Sequence, residues 1–86
     1  MPRISSFYGL IIYMYWNEHN PPHFHVNYGE FNAVILINDF SLKEGYLPPK
    51  AMAMTVEWAV IHQGELIENW NLGLLGLGFN KIEPLQ

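Results

Sequence analysis

Three of the four histidines lie within seven residues, in the segment Glu18-His19-Asn20-Pro21-Pro22-His23-Phe24-His25. The stretch from His23 to Tyr28 alternates in the manner of a strand: Phe24, Val26 and Tyr28 share one face, His23, His25 and Asn27 the other. Alternate residues of a strand are roughly 6.6 Å apart at Cα, close enough for two imidazoles to converge on one small ion or to bracket one phosphate. His19, just before the proline turn, is placed to fold back toward them. Three imidazoles so grouped resemble a three-histidine site that leaves one position of a zinc-like divalent metal open. The same side chains, His19, His23 and His25, also suit general acid–base work on a phosphodiester, because imidazole titrates near neutral pH. A structural role is the competing reading, in which His23 and His25 hydrogen-bond backbone carbonyls and brace the Pro21-Pro22 turn.

A second group of ionisable residues falls on a helical stretch: Glu57, His62, Glu65 and Glu68. Glu57 and His62 are five residues apart, about 140° around a helix, and do not share a site. Glu65 and Glu68 do share a face. A carboxylate from this helix completes a histidine site only if the helix packs on the histidine side of the sheet, and the register below places it on the other side. The pattern therefore reads as a solvated acidic face. Trp16, Trp58, Trp70 and the five tyrosines could stack on bases, but in so small and acidic a chain they suit a core or a protein interface better.

The elements that must position the histidines follow from periodicity. Residues 6–16 are dense in aromatic and β-branched residues on both alternating faces, the pattern of a central strand covered on both sides. Asn17 to Pro22 forms a turn, and the paired prolines stop any strand ladder there. Gly29-Glu30 is a two-residue hairpin loop. Continuing through it, Phe31, Ala33, Ile35 and Ile37 join Phe24 and Val26 on the core face. Asn32, Val34 and Leu36 join the histidines, with His25 opposite Val34 and His23 opposite Leu36. Asn38-Asp39 turns into a short strand, Phe40 to Lys43. Pro48-Pro49 opens a helix expected to run from Pro49 to Leu72, with Met52, Val56, Ala59, Leu66 (or Ile67) and Trp70 facing the sheet. Gly64 marks a kink or a close approach in that helix, and residues 79–85 add an edge strand. The expected fold is α+β: a small, mostly antiparallel sheet of three to five strands with one long C-terminal-half helix packed on one face. The 86 residues form a single domain.

Composition removes several classes of function. There is no cysteine, so disulfides, thiolate metal sites and thiol catalysis are excluded. Half of the residues are hydrophobic and only 14% charged, which is not the composition of a disordered chain. The longest apolar run, Phe7 to Trp16, is too short to span a bilayer. With no secretory signal evident, a cytoplasmic location is expected. The net charge is −4 and the four basic residues, Arg3, Lys43, Lys50 and Lys81, are scattered. That argues against DNA binding, which relies on basic patches, and leaves RNA only as a locally gripped substrate. The high apolar content of so short a chain points to an exposed patch covered by a partner or by a second copy, and the glycine-punctuated segment 72–79 is the best candidate.

Further residues carry a resemblance. The opening Pro2-Arg3-Ile4-Ser5, the run Gly9-Leu10-Ile11-Ile12-Tyr13-Met14-Tyr15 and the block His19-Asn20-Pro21-Pro22-His23-Phe24-His25 resemble the bacterial domain-of-unknown-function family 4160. So do Leu47-Pro48, Glu57-Trp58, His62, Glu65-Leu66, Asn69-Trp70 and the ending Lys81-Ile82-Glu83-Pro84-Leu85. The chain departs from the family at Gly64 and in its apolar segment 72–79. The resemblance implies a small prokaryotic protein encoded beside a second small protein in a toxin–antitoxin-like arrangement. It implies no catalytic mechanism. Three functional expectations follow: a toxin acting on RNA through His19, His23 and His25; a non-catalytic binding module such as an antitoxin or regulatory subunit; or a histidine metal-binding protein.

Overall fold

A computed structural model of the chain describes residues 2–86. Five strands form one antiparallel sheet in simple sequential order: β1 (Arg3–Phe7), β2 (Leu10–Tyr13), β3 (His23–Tyr28), β4 (Phe31–Leu36) and β5 (Leu42–Gly45). Two helices follow, α1 (Pro49–Ile61) and α2 (Gln63–Leu74). The α+β class holds, with helices in place of the single helix expected.

The β3–β4 hairpin has the register that alternation requires. His23 lies opposite Leu36, Phe24 opposite Ile35 and His25 opposite Val34, with Gly29-Glu30 as the loop. Gly29 has φ +59, the left-handed value that the first loop position of a Gly-X turn demands. Phe24, Val26, Ala33 and Ile35 are buried together on the core face. There Trp58 of α1 packs against Phe7 and Phe24, at ring-centroid distances of 5.5 and 6.0 Å.

Several boundaries differ from the sequence reading, each for a local reason. The expected strand over 6–16 is a hairpin, β1 and β2, folded at Tyr8-Gly9, where both residues take positive φ (48° and 85°). Period-two alternation does not register such a turn, because Tyr8 keeps the pattern apolar while the backbone reverses. The strand expected at Phe40 to Lys43 begins two residues later, since Phe40 adopts φ 61° and Asp39 accepts hydrogen bonds from the Ser41 backbone and hydroxyl. The expected edge strand at 79–85 is irregular; it contributes one backbone bond to β1, from Ile82 N to Ile4 O at 2.8 Å.

The long helix breaks at His62 (φ −110°, ψ 21°), two residues before Gly64. Gly64 is neither the break nor a close approach: a side chain there would meet open space. Gln63 starts α2 by donating to the Ile37 and Asn38 carbonyls, which ties the helix junction to the β4–β5 turn. The buried stripe also differs from the expected one. Ala51, Thr55, Trp58 and Ala59 line the core from α1, and Met52 and Val56 are only half-buried. Leu66, Asn69, Trp70 and Gly73 do so from α2. Asn69 is fully buried because its amide closes a reciprocal pair with the Asn80 backbone, at 2.9 and 2.8 Å, and so anchors the tail. No helix is long and apolar enough to cross a membrane among the described residues.

Candidate functional site: a two-histidine, one-carboxylate cluster

Trp58 of α1 covers the core face of the sheet, while on the opposite face, which carries His23 and His25, Trp70 of α2 packs against His23 and the rest is left for the chain itself to cover. Residues 14–22 do this. Beyond β2 the chain is pinned to the end of α2: Asn17 N donates to Gly73 O at 3.1 Å, Trp16 Nε1 donates to Leu77 O at 2.8 Å, and Trp16 stacks on Phe79 at 5.1 Å. Gly73 leaves room at this junction, because a Cβ there would lie 2.9 Å from the Phe79 ring, which would have to shift. Asn17 turns the chain with φ 55°, and the Asn20-Pro21 peptide is cis. The result brings Glu18 over the two histidines.

Glu18 spans both rings. Its Oε1 is 2.7 Å from His25 Nε2 and its Oε2 is 3.1 Å from His23 Nε2. One ligand atom from each of the three residues can be chosen so that all lie within 4.8 Å of one another. His23 is 5% exposed, held between His25 on one side and Trp70 of α2 on the other, with ring centroids 5.3 and 5.1 Å away. Tyr13 stacks on His25 at 5.1 Å and Tyr15 meets it edge-on at 5.0 Å. An aromatic wall thus fixes both imidazoles.

The tautomer of His23 follows from its partners. Its Nδ1 lies 2.8 Å from the Pro21 carbonyl, which can only accept, so Nδ1 carries the proton. In the neutral ring Nε2 then presents a lone pair to the Glu18 carboxylate, acceptor against acceptor. A proton on Nε2 or a cation between the groups resolves that conflict. A histidine that donates one ring N–H to a backbone carbonyl while the other nitrogen faces a carboxylate is the usual arrangement around a bound metal. In a tetrahedral zinc site, ligand atoms about 2.0–2.1 Å from the ion are about 3.3 Å apart, so separations that lie within 4.8 Å need to shorten by at most about 1.5 Å to close on an ion.

Electrostatics favour a charged carboxylate. Burial works against the Glu18 charge, but the hydrogen bond from His25, and that from His23 when its Nε2 also carries a proton, outweigh it and hold the carboxyl below its ordinary 4.5. Burial raises the Tyr13 hydroxyl above its ordinary 10.0, with Tyr15 and the Glu18 charge adding to the effect. A shallow groove of about 170 Å³, lined by Tyr13, His25, Val34 and Glu44 among others, opens from His25 across the sheet.

Of the three histidines singled out from sequence, the fold unites His23 and His25 and leaves His19 exposed, outside the cluster. The third member is Glu18, one residue earlier. The spacing of imidazoles could not select it, because the choice depends on how the proline turn folds. Nor does a helix carboxylate complete the site: Glu65 pairs instead with His62, Oε1 to Nδ1, at 2.6 Å.

The molecule is therefore a five-stranded antiparallel α+β protein with a two-histidine, one-carboxylate cluster on the sheet face opposite Phe24 and Val26, bordered by Trp70 of α2. Residues 9–71 match the family described as domain of unknown function DUF4160, and the chain belongs to that family. The match spans β2 to α2 and includes Glu18, His23 and His25. No curated protein and no solved structure matches the chain.

Proposed function

We propose that Glu18, His23 and His25 bind one zinc-like divalent cation, and that the chain acts through this site as one member of a toxin–antitoxin-like pair of small proteins. The observation that carries the metal reading is the His23 tautomer: with Nδ1 protonated toward Pro21, its Nε2 lone pair and the Glu18 carboxylate point into the same small volume. Two imidazole nitrogens and one carboxylate oxygen suit zinc or another late first-row ion, and suit magnesium or calcium poorly. Three protein ligands leave a position for water or substrate, the form taken by catalytic sites rather than structural ones.

An RNA substrate fits the toxin reading. Arg3 is the only arginine, so the cation rather than a basic side chain would carry the work of stabilising phosphate charge. The same imidazoles acting without metal form the second reading, supported by the 2.7 Å contact of His25 with Glu18, which suits a direct charge-assisted hydrogen bond. A non-catalytic binding module is the third, supported by the exposed Leu74, Leu75 and Leu77 at the end of α2, where a small partner or a second copy of the chain could dock. A cytoplasmic setting goes with all three.

The deciding experiment is growth of a bacterial host after induction of this chain alone, beside a folded His23→Ala/His25→Ala variant, with the metal content of both purified proteins measured. Arrest by the wild type only, with one metal per chain lost in the variant, supports the proposal. Arrest with metal-free protein supports the metal-independent reading. Unimpaired growth at good expression overturns the toxin role and leaves the binding module.

A further inference from the structure

A second site lies at the far end of β3, roughly 16 Å along the strand from His23. An open cleft of about 350 Å³ is lined there by Tyr8, Tyr28, Lys50 and Met54, none of which belongs to the histidine cluster. Its volume falls within the range of small-molecule sites.

Tyr8 is the residue that needs explaining. It occupies the first position of a two-residue hairpin turn in which both residues have positive φ, a conformation that Asn, Asp and Gly adopt with least crowding. A tyrosine there sets its Cβ against the backbone carbonyl. Burial does not offset this, for Tyr8 is 61% exposed and its one aromatic neighbour among the described residues is Phe7, edge-on at 6.5 Å. The next residue, Gly9, lies where a Cβ would come 3.3 Å from the Tyr28 ring, so glycine leaves that ring room beside the turn. Local strain combined with an exposed aromatic ring is a pattern found where a residue serves binding rather than folding.

The remaining lining residues define the chemistry. Lys50 is one of only four basic residues, and no carboxylate lies within ion-pair distance of it among the described residues. Met54, one helical turn further on, adds a polarisable apolar wall suited to aromatic faces. Two phenol rings and a thioether select a planar aromatic ring, and an ammonium selects an anionic group attached to it. A single cation on a chain of net charge −4 disfavours a polyanion. We propose that the Tyr8–Tyr28–Lys50–Met54 cleft binds a small planar aromatic anion, its ring against the tyrosines and its phosphate or carboxylate on Lys50.

The test is titration of the isotopically labelled full chain with AMP and, separately, with indole-3-acetate, followed by NMR; adenosine and inorganic phosphate are the comparison arms. The expected result is binding of at least one aromatic anion, with shifts confined to the β1–β2 turn, Tyr28 and the start of α1, and weaker binding of adenosine and phosphate. AMP alone binding identifies a phosphate ligand; indole-3-acetate binding extends the class to carboxylates. Lys50→Gln weakens the interaction about fivefold, the scale of an exposed ion pair. Tyr8→Asn weakens it about tenfold, the scale of a lost stacking contact, yet raises the melting temperature by about 5 °C through relief of the turn. A purely structural tyrosine would not combine lost binding with gained stability. No shifts with either anion at millimolar concentration, or binding unchanged in both variants, overturns the proposal. Because Glu18, His23 and His25 take no part, the result is independent of metal content.

Discussion

Replacing Glu18 with glutamine separates a metal site from a hydrogen-bonded histidine pair. Without metal, the amide fits the neutral tautomers: its oxygen can accept from His25 Nε2–H, and its NH₂ can donate to the His23 Nε2 lone pair. Metal-free Glu18→Gln should therefore stay within about 1 kcal/mol of the wild type at neutral pH. With metal the two proteins diverge. A ligand that binds only the folded state at one hundred times its dissociation constant stabilises by about 2.7 kcal/mol. For a chain of 86 residues the unfolding entropy is about 0.18 kcal/mol per kelvin, so zinc should raise the wild-type melting temperature by about 15 °C. Glutamine brings no charge and is a poor zinc ligand, so the same zinc concentration should shift the variant by less than about 5 °C. The assay is thermal unfolding with zinc or with EDTA, paired with elemental analysis of the dialysed proteins. A zinc shift of equal size in wild type and Glu18→Gln would refute the assignment of Glu18 as a ligand.

Acid should act on the same residue. Because the folded-state Glu18 carboxyl lies below its ordinary 4.5, its stabilising contribution is fully present above that value and is lost as pH falls through the lower folded value. Metal-free stability curves of the wild type and Glu18→Gln should accordingly run parallel above about pH 5.5 and converge below pH 4.5; a constant gap down to pH 3 would contradict the linkage. Gly64→Ala adds a methyl group in open space at a helical position and should stabilise by up to about 1 kcal/mol, or about 5 °C in melting temperature, without affecting metal uptake. Gly45→Ala places a Cβ 2.0 Å from the Asn32 carbonyl oxygen at φ 80°, so its urea midpoint should drop by the equivalent of at least about 3 kcal/mol. Asn69→Ala leaves the Asn80 backbone groups unpaired beside a buried void and should cost about 2–3 kcal/mol, with faster amide exchange along residues 79–85 as the local readout.

Strand pairing was legible in the chain wherever one face is buried and the other is not. The β3–β4 register follows from alternation through Gly29-Glu30, since a slip of one residue would turn Phe24, Val26, Ala33 and Ile35 to the open face. The same alternation put His23 and His25 on the face opposite Phe24 and Val26, but it wrongly placed the whole helical stretch on the other side, since Trp70 of α2 packs against His23. It failed at residues 6–16, where both faces are apolar and only the positive φ of Tyr8 and Gly9 reveals the reversal. It also failed at the helix, where Gly64 drew attention as the weakest helix former. The break at His62 is instead stabilised from outside the helix, by Gln63 donating to two carbonyls of the β4–β5 turn, a contact 25 and 26 residues away in sequence.

The candidate site divides along the same line. Sequence determined that His23 and His25 share a strand face, because strand geometry is a period-two property of the local backbone. It also determined the absence of thiol chemistry and the scarcity of basic groups, which are matters of composition. Only the tertiary structure decided which third residue joins them. Glu18 and His19 are neighbours with equal claim by spacing, and the choice between them rests on how residues 14–22 are held: Asn17 on Gly73, Trp16 on Leu77 and Phe79, and His23 against Trp70. Those contacts join residues more than forty positions apart. No local pattern encodes them, and they direct a carboxylate rather than a third imidazole over the histidine pair.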